Sequence, residues 1–502
     1  MWLSHSERPL SVRELCHALG VEMDSTDLNP GNVPAIETVL ACFLGLVIVE
    51  ASSRTVRLIH YTLQEYLSNS TDLFYCPHLR IAQVCLRYLH LPCIGDLSPY
   101  LGWPRLETPL LGYTSCFWGT HIKREIPETV STLALRLLGG FDEHVSSGVL
   151  LSSSLENWGR ELCRSNPKGF TGLHGTAYFG IVNTALALLE MGEWDLDATD
   201  VGGNTAISWA ARKGHGAMVE MLLEREHVTP DTVDKAGRTA LSWAAGNGYE
   251  DIVVMLLERD DVTPNTTDKT GRTPLSWAAG NGREGIVESL LEWGDVTPDT
   301  ADEDGRTPLS WAAGNGYEDI VEILLKQDDV TPDMADEHDR TPLSWAAGMG
   351  REGIVEMLLE QGYVTPDTAD EDGRTPLSWA AGDGHEHIVK MLLEREDAAP
   401  GTVDNNGRTP LWWAKERRHI KVAEMLRSQC NASPDMISLT GQTAQIQISG
   451  NQHARAPKRP LDNQGSFPPS NNNNSLNNPS LAEHSASSER PSKKIRTFYH
   501  PR

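Results

Sequence analysis

The sequence lacks several features that would point to particular functions. Its start has no signal-peptide core, and its longest apolar run, residues 39–49, is about 11 residues, whereas a membrane helix needs roughly 20. The eight cysteines form no C-x-x-C pair, so neither a disulfide framework nor a cysteine metal site is indicated. No G-x-x-x-x-G-K-[ST] phosphate-binding loop occurs. We therefore expect a soluble, cytoplasmic protein.

A catalytic constellation is also missing. The 17 histidines are dispersed, and the serine that recurs as Ser276 has no histidine or carboxylate at a recurring distance that could activate it. Paired carboxylates such as Asp302 and Asp304 recur with a turn, so turn formation explains them more simply than acid–base catalysis, and they lack the spacing of a calcium loop. We predict no enzyme activity, no catalytic residue, no metal ligand, no cofactor and no small-molecule substrate.

What the chain does have is a large excess of acidic side chains. Its net charge is −26, and roughly −25 of this falls within residues 168–434. Such a region repels nucleic-acid phosphates and anionic membranes. It favours a protein partner with a basic surface, and the alternative is that the charge only keeps an extended surface soluble. We predict a protein partner, with no nucleic acid and no membrane.

The most informative pattern is a repeat of 34 residues. A tryptophan recurs at this interval without a slip, at Trp209, Trp243, Trp277, Trp311, Trp345, Trp379 and Trp413. A threonine keeps the same interval four positions earlier, from Thr205 to Thr409. A period of this length indicates a stacked array of one supersecondary unit, in which each unit contacts only its neighbours.

Each segment of the unit has a structural interpretation. Residues 302–305 form a turn, and Thr307 followed by Pro308 is typical of a helix start, with threonine as the N-cap. A short helix with a small apolar face follows until residues 314–316, where Gly-Asn-Gly ends it, and residues 320–325 belong to a second apolar helix. Two helices of about eight residues are unstable alone, so they must stack. We expect Trp277 and Trp311 to be buried between neighbouring helices.

The unit resembles the ankyrin repeat, whose T-P-L-H-x-A signature stands here as Thr273-Pro-Leu-Ser-Trp-Ala278 and its copies. Serine replaces the family's histidine in six units, so the hydrogen bonding of that histidine must be replaced or weakened. The period exceeds the usual 33 residues by one, and we place the extra residue in the Asp-Val-Thr-Pro-Asp connection. The first and last units are atypical, as capping repeats are. We count eight repeats over residues 168–434.

The resemblance also implies a binding face, because ankyrin arrays receive partners in a concave groove lined by turn tips and first-helix ends. On this face we predict partner-binding residues of two kinds. One is an arginine series at the turns, and the other is a set of first-helix ends whose residue type varies among nearly identical units. The predicted residues are Arg238, Arg272, Arg306, Arg340, Arg374, Arg408, Asn281, Asn315, Met349 and Asp383. Neutral drift at exposed sites is the alternative explanation of the variation.

The segment before the repeats predicts a winged-helix domain over residues 1–70. Ser11-Val-Arg-Glu14 is a capping box that opens a helix through Leu19, and a second helix is expected over residues 36–43. Residues 46–50 and 55–59 alternate about Ser52-Ser53 and predict a hairpin. Thr62-Leu-Gln-Glu65 predicts a further capping box and helix. We expect little DNA binding, because the second helix region is not basic.

Leu58-Ile-His-Tyr-Thr-Leu-Gln-Glu-Tyr-Leu67 resembles the end of the winged-helix domain that follows the NACHT module in fungal NACHT–ankyrin, NLR-like proteins. Pro109-Leu-Leu-Gly-Tyr-Thr-Ser-Cys-Phe-Trp118 is similar to their helical linker, which we place at residues 71–167. The resemblance implies that His60 reaches a bound ADP phosphate. The NACHT module itself is absent, so local bonding beside the hairpin is the other interpretation of His60.

Residues 435–502 are rich in Gln, Ser, Pro and Asn and predict a disordered tail. Two basic clusters there, at residues 455–459 and 493–496, are compatible with nuclear import or with an ordinary solvated tail. The predicted fold is thus mainly α, an ankyrin-repeat solenoid preceded by a small winged-helix domain and a helical linker. We predict a non-enzymatic scaffold or adaptor. The alternative is the sensor half of an NLR-like ATPase whose nucleotide-binding domain is encoded elsewhere or missing from the gene model.

Overall fold

The computed structural model describes residues 1–23, 27–70, 73–98, 108–124, 128–154, 168–395 and 397–432. The predicted tail at residues 435–502 and parts of the predicted linker lie outside these ranges. The described chain is mainly helical, as the sequence predicts. No helix among the described residues has both the length and the apolar character that a membrane crossing requires.

The N-terminal segment folds into helices around a small antiparallel sheet. Its elements are α1 (Trp2–His5), β1 (Leu10–Ser11), α2 (Val12–Gly20), a 3₁₀ turn (Pro30–Asn32), α3 (Ile36–Cys42), β2 (Val47–Val49), β3 (Thr55–Leu58) and α4 (Tyr61–Asn69). The predicted hairpin is confirmed, with Val49 opposite Val56. The strand order is β1-β3-β2, and β1 was not predicted because two residues are too few to show alternation.

Two helix starts in this segment were predicted as capping boxes, and one of them is wrong. At α2, the Ser11 hydroxyl accepts from the Glu14 amide and the Glu14 carboxylate accepts from the Ser11 amide, which confirms the box. At α4, the N-cap is His60 rather than Thr62. The His60 Nδ1 lies 2.8 Å from the Thr62 hydroxyl and accepts from the Thr62 amide, so Thr62 falls inside the first turn. Local bonding of His60 is therefore confirmed.

In the described parts of residues 73–154, five helices connect this segment to the repeats. They are α5 (Pro77–Leu89), α6 (Pro92–Gly95), α7 (Leu111–Arg124), α8 (Glu128–Leu138) and α9 (Val145–Ser154), with a 3₁₀ turn at Phe141–Glu143. Helix α5 packs against α7 and α8, and α7 packs against α9. Tyr88, Tyr113 and Trp118 are fully buried among them.

Eight helix pairs follow, each with a first and a second helix. The first helices are α10 (Gly172–Phe179), α12 (Ala206–Lys213), α14 (Ala240–Asn247), α16 (Pro274–Gly280), α18 (Pro308–Asn315), α20 (Pro342–Gly348), α22 (Pro376–Asp383) and α24 (Pro410–Glu416). The second helices are α11 (Val182–Glu190), α13 (Gly216–Leu223), α15 (Glu250–Leu257), α17 (Glu284–Glu292), α19 (Glu318–Leu325), α21 (Glu352–Glu360), α23 (Glu386–Leu393) and α25 (Ile420–Ala432). Each first helix packs on the first helix of the next pair and on its own second helix.

The predicted local signals hold in the interior pairs. Thr307 caps α18 by accepting from the Ser310 amide, Pro308 occupies the first turn, and Gly316 ends the helix with a φ of 87°. The continuous core between helices consists of small and branched side chains, represented in this pair by Leu309, Ala312, Ala313, Ile320, Val321 and Leu324. Because alanines allow close approach of the first helices, the core is tight without large side chains.

The predicted burial between neighbouring helices is confirmed for Trp311 and wrong for Trp277. Trp311 is only 5 % exposed, but Trp277 is half-buried, and neither belongs to the continuous core. Both indole rings lie beside the turns that precede the first helices, where each nitrogen donates to an aspartate. A polar indole with a turn carboxylate within reach gains a hydrogen bond that the apolar core cannot supply.

The first pair departs from the repeat because it packs on the linker. Gly175 stands where the later units have tryptophan, and a Cβ there would lie 2.9 Å from the Phe141 ring. Phe141 packs on Phe170, which meets the fully buried Trp209 of the next pair edge-on at 5.7 Å. The atypical first repeat therefore packs on the linker helices on one side and on the second repeat on the other.

Candidate partner-binding face

The predicted site residues lie at the turns and at the first-helix ends, and the tryptophan rings connect the two. We call this surface the ladder face, defined by turns 234–238, 268–272, 302–306, 336–340, 370–374 and 404–408 together with the C-terminal ends of the first helices. At a helix end, the predicted Asn281 and the Trp277 ring both lie within 4 Å of the Cβ position of Gly246, while the predicted Arg238, from a turn, lies over the Trp277 ring at 4.1 Å. The structure thus brings both kinds of predicted residue to one surface.

Each turn is organised by a buried aspartate. Asp302 is 8 % exposed, and its Oδ1 accepts from the amides of Asp304 at 3.1 Å and Arg306 at 2.8 Å. Its Oδ2 accepts from the Trp311 indole nitrogen at 2.8 Å. Equivalent bonds recur from Asp200 to Asp404. One oxygen of the aspartate therefore holds the turn, and the other holds the tryptophan ring in its orientation.

The protonation of these aspartates depends on their local partners. Burial works to raise the pKa of Asp268, but hydrogen bonds from the Thr270 hydroxyl and amide outweigh it and hold the pKa below its ordinary value. Burial raises the pKa of Asp370, where the bonds from Arg374 and Trp379 offset it only in part and Asp372 adds a like charge. Equivalent positions therefore differ in acidity.

The six predicted arginines are engaged in a continuous stack with the tryptophans. Arg272 lies 4.7 Å from the centroid of Trp277 in its own unit and 3.6 Å from that of Trp311 in the next. The same double contact is made by Arg238, Arg306, Arg340 and Arg374. Arg408, in the last unit, lies over Trp412 and Trp413. Each of the first five arginines thus joins two neighbouring repeats.

Four of these arginines also pair with the turn aspartate of the next unit. The Nε to Oδ2 distances are 3.4 Å for Arg238–Asp268, 3.5 Å for Arg272–Asp302, 3.7 Å for Arg306–Asp336 and 3.8 Å for Arg340–Asp370. Arg408 instead pairs with Asp404 of its own unit at 2.8 Å. The side chains of the first four are only 16–24 % exposed. The arginine series therefore stabilises the array, and any contact that it makes with a partner uses what remains exposed.

This arrangement replaces the histidine that the ankyrin signature usually carries. In the first unit His174 is present, its Nδ1 lies 2.8 Å from the Thr171 hydroxyl, and its Nε2 donates to the Asn204 carbonyl of the next unit at 3.0 Å. In the later units the serine only bonds to its own threonine, as Ser310 does with Thr307 at 3.2 Å. In the later units the arginine and the aspartate of the next unit therefore make the side-chain contact between units that His174 makes in the first unit.

A second ladder links the first-helix ends. The predicted residues Asn281 and Asn315 donate their side-chain amides to the carbonyls of Gly246 at 3.1 Å and Gly280 at 2.8 Å, both in the preceding unit. Asn247 makes the same bond to Arg212. Each bond ties the ends of two first helices together.

Where asparagine is absent, another donor from the same unit takes the carbonyl. Met349 cannot donate, and Arg351 Nε reaches the Gly314 carbonyl at 3.4 Å. Asp383 cannot donate either, and His385 Nε2 donates to the Gly348 carbonyl at 3.1 Å, while Asp383 pairs with Arg417 of the last unit. In both units the junction is therefore still bridged, by Arg351 and by His385, although arginine at this position also occurs beside an asparagine, as Arg283 after Asn281. A partner role for these residues remains a prediction.

The outermost side chains of the ladder face are the residues that follow each turn aspartate, which we call the tips. In the fifth, sixth and seventh units the exposed tips are mostly acidic, with Glu303, Asp304, Glu337, Asp339, Glu371 and Asp372. In the third and fourth units, by contrast, the tips include Lys235 and Lys269, and the last unit has Asn405. The tips are held in register by backbone bonds between units, such as Glu337 N to Asp304 O at 2.9 Å. A fixed row of carboxylates therefore faces solvent.

A stack of helix pairs joined by turns that bond to the next turn defines the class of repeat solenoids. Comparison with known families identifies the kind of repeat. The family described as "Ankyrin repeats (3 copies)" matches residues 226–300, 295–369 and 363–438, and "Ankyrin repeats (many copies)" matches residues 169–223. These matches cover more than half of the chain, which is an ankyrin-repeat protein.

The N-terminal segment matches a second family. Residues 1–73 match the winged helix domain of GPI inositol-deacylase, in agreement with the order of helices and strands described above. No curated protein matches the chain significantly. Ankyrin repeats are protein-interaction modules, so the fold is that of an interaction scaffold.

Proposed function

We propose that this protein is a non-enzymatic scaffold that binds a basic protein surface through the acidic tips of its fifth, sixth and seventh repeats. The observation that carries the proposal is the separation of charge on the ladder face. The arginines are turned inward against tryptophan and aspartate, while Glu337, Glu371 and their neighbours remain exposed. A fixed row of carboxylates attracts a cationic surface and raises the rate of association.

The test is a charge reversal with a matched control. The double variant Glu337→Lys with Glu371→Lys changes the tips, and Glu322→Lys with Glu356→Lys makes the same change of charge on the exposed side of the second helices. A partner captured from lysate on the full chain is purified, and its Kd is measured at two salt concentrations. The tip variant is expected to weaken binding at least tenfold, about 1.4 kcal/mol. Equal effects of the two double variants would contradict the proposal.

The arginines of the ladder face can contact a partner only through the part of each side chain that remains exposed. The pair Arg340→Ala with Arg374→Ala is also expected to weaken the partner at least tenfold, about 1.4 kcal/mol. Because these side chains join repeats, unfolding of the same variant has to be measured alongside. A loss of binding at a temperature where the variant is fully folded supports direct contact, and unchanged binding removes the arginines from the site.

A second candidate is a regulatory half that works with a separately encoded nucleotide-binding module. The supporting observation is the number of exposed apolar side chains on the N-terminal segment, where Leu44, Tyr61 and Tyr75 are 88 %, 75 % and 90 % exposed. Apolar surface of this kind is commonly covered by another protein. Calorimetry with ATP and ADP tests whether this chain itself contributes to a nucleotide site. A lone scaffold binds neither nucleotide, with or without His60→Ala. Micromolar binding that His60→Ala removes would favour the second candidate, whereas absence of binding is expected of both.

A further inference from the structure

Three groups able to bind a metal ion converge where the N-terminal segment meets the linker helices. Glu7 follows α1, His78 lies in the first turn of α5, and His121 lies in the last turn of α7. One ligand atom from each lies within 4.8 Å of the others. His121 Nδ1 is 2.8 Å from His78 Nδ1 and 3.9 Å from Glu7 Oε1. We propose that Glu7, His78 and His121 bind a divalent transition-metal ion, best matched by zinc.

The donor set has the chemistry and the spacing that zinc uses. Two imidazoles and one carboxylate are a known three-ligand set for zinc, with bonds of about 2.0–2.2 Å. Ligand atoms around a tetrahedral ion at these bond lengths lie roughly 3.3 Å apart. The observed separations of 2.8 Å and 3.9 Å lie on either side of this value. The third separation, between His78 and Glu7, is within 4.8 Å, so binding requires His78 and the Glu7 carboxylate to rotate toward the ion, and the fourth position is left for water.

The surroundings orient His121 for this role. Its side chain is fully buried, and its Nε2 lies 2.8 Å from the Tyr113 hydroxyl oxygen. That oxygen also accepts from the Glu7 amide at 3.0 Å. With the proton on Nε2 donated to Tyr113, the lone pair of Nδ1 faces His78 and Glu7. Metal-binding histidines characteristically donate their second ring nitrogen in this way, which fixes the tautomer.

A cationic side chain competes for the same position. The Arg124 guanidinium lies 2.8 Å from Glu7 Oε1 and 3.3 Å from His78 Nε2, and its side chain is 49 % exposed. It stands at the end of α7, where rotation into solvent frees the carboxylate. Arg124 and an ion therefore compete for Glu7 and His78. Removal of the arginine should strengthen binding, whereas removal of a ligand should weaken it.

The experiment is a zinc titration of the full chain after treatment with a chelator, followed by calorimetry and by the visible absorption of cobalt as a substitute ion. Wild-type protein is expected to bind one zinc ion per chain with a Kd below micromolar. Glu7→Gln and His78→Ala should each weaken binding at least tenfold, and Arg124→Gln should tighten it. The control is His387→Ala, because His387 and Glu352 form an exposed pair at 3.0 Å elsewhere.

The outcomes decide the proposal. Absence of stoichiometric zinc binding by the wild type, or equal affinity in Glu7→Gln, His78→Ala and His387→Ala, would show that the three groups form only a hydrogen-bonded network with Arg124. Circular dichroism of each variant identifies a loss of fold, and Arg124→Gln supplies a gain of affinity that unfolding cannot imitate.

Discussion

Replacement of Arg340 by alanine tests whether the stack of arginine and tryptophan holds the repeats together. The guanidinium of Arg340 lies 5.0 Å from the Trp345 centroid and 4.7 Å from the Trp379 centroid, and it pairs with Asp370 at 3.8 Å. Each partly exposed cation–π contact contributes about 0.5–1 kcal/mol, and a partly screened ion pair contributes up to about 1 kcal/mol. We expect Arg340→Ala to lower the free energy of unfolding by about 2 kcal/mol.

The assay is urea unfolding of the full chain followed by tryptophan fluorescence, since the rings in question report on their own stack. Glu356→Ala, an exposed change in the same unit, should stay within about 0.5 kcal/mol of the wild type. Arg340→Lys keeps the charge but loses the planar group, so its midpoint should fall between the two. Coincident unfolding curves for Arg340→Ala and Glu356→Ala would refute the reasoning, because Arg340 would then stabilise the fold no more than an exposed surface residue does.

Four further expectations concern single features. Arg351→Ala should lower the free energy of unfolding by about 1 kcal/mol, and adding Met349→Asn should restore most of it. If the effects of the two substitutions are simply additive in this double-mutant cycle, an asparagine at position 349 does not replace the bond from Arg351. Asp339 has a φ of 57° where the other turns have glycine, so Asp339→Gly should stabilise by about 0.5–1 kcal/mol, and a lower melting midpoint would exclude strain there. Trp311→Ala should cost about 3 kcal/mol, well beyond Glu318→Ala, and equal melting midpoints would count against the indole–aspartate contact. Burial lowers the pKa of His144 to about 4, so the unfolded chain takes up a proton first as the pH falls below about 6.5. This histidine alone should lower the stability by about 2 kcal/mol between pH 7 and 5, and an equal drop in the wild type and in His144→Asn would exclude it as a cause.

The sequence predicted those parts of the fold that depend on short-range signals. The threonine cap, the proline in the first turn and the glycine at the helix end act within a few residues, and the period shows how often they recur. The Ser11 capping box and the hairpin were predictable for the same reason. At α4 the local signal misled, because His60, two residues before Thr62, supplied the cap.

The role of the ladder face was less predictable. An arginine beside acids at a turn is typical of a solvated pair, and only the spacing of stacked units shows that Arg272 meets the tryptophan 39 positions ahead of it, Trp311. The bond from Arg351 depends on a carbonyl in the preceding unit. Glu7, His78 and His121 come from three separate elements, so no spacing in the sequence connects them.

The donors of the helix-end ladder have a consequence for how the array can change in length. Each unit carries its own donor, whether asparagine, Arg351 or His385, and the acceptor is a backbone carbonyl that every unit possesses. The stack is equally general, since each interior arginine needs only a tryptophan and an aspartate ahead of it. Deleting or duplicating one whole unit would therefore create a new junction with all its contacts present. In these junction contacts the interior repeats are equivalent although their tips differ, whereas the first unit, with Gly175 beside Phe141, and the final unit are not.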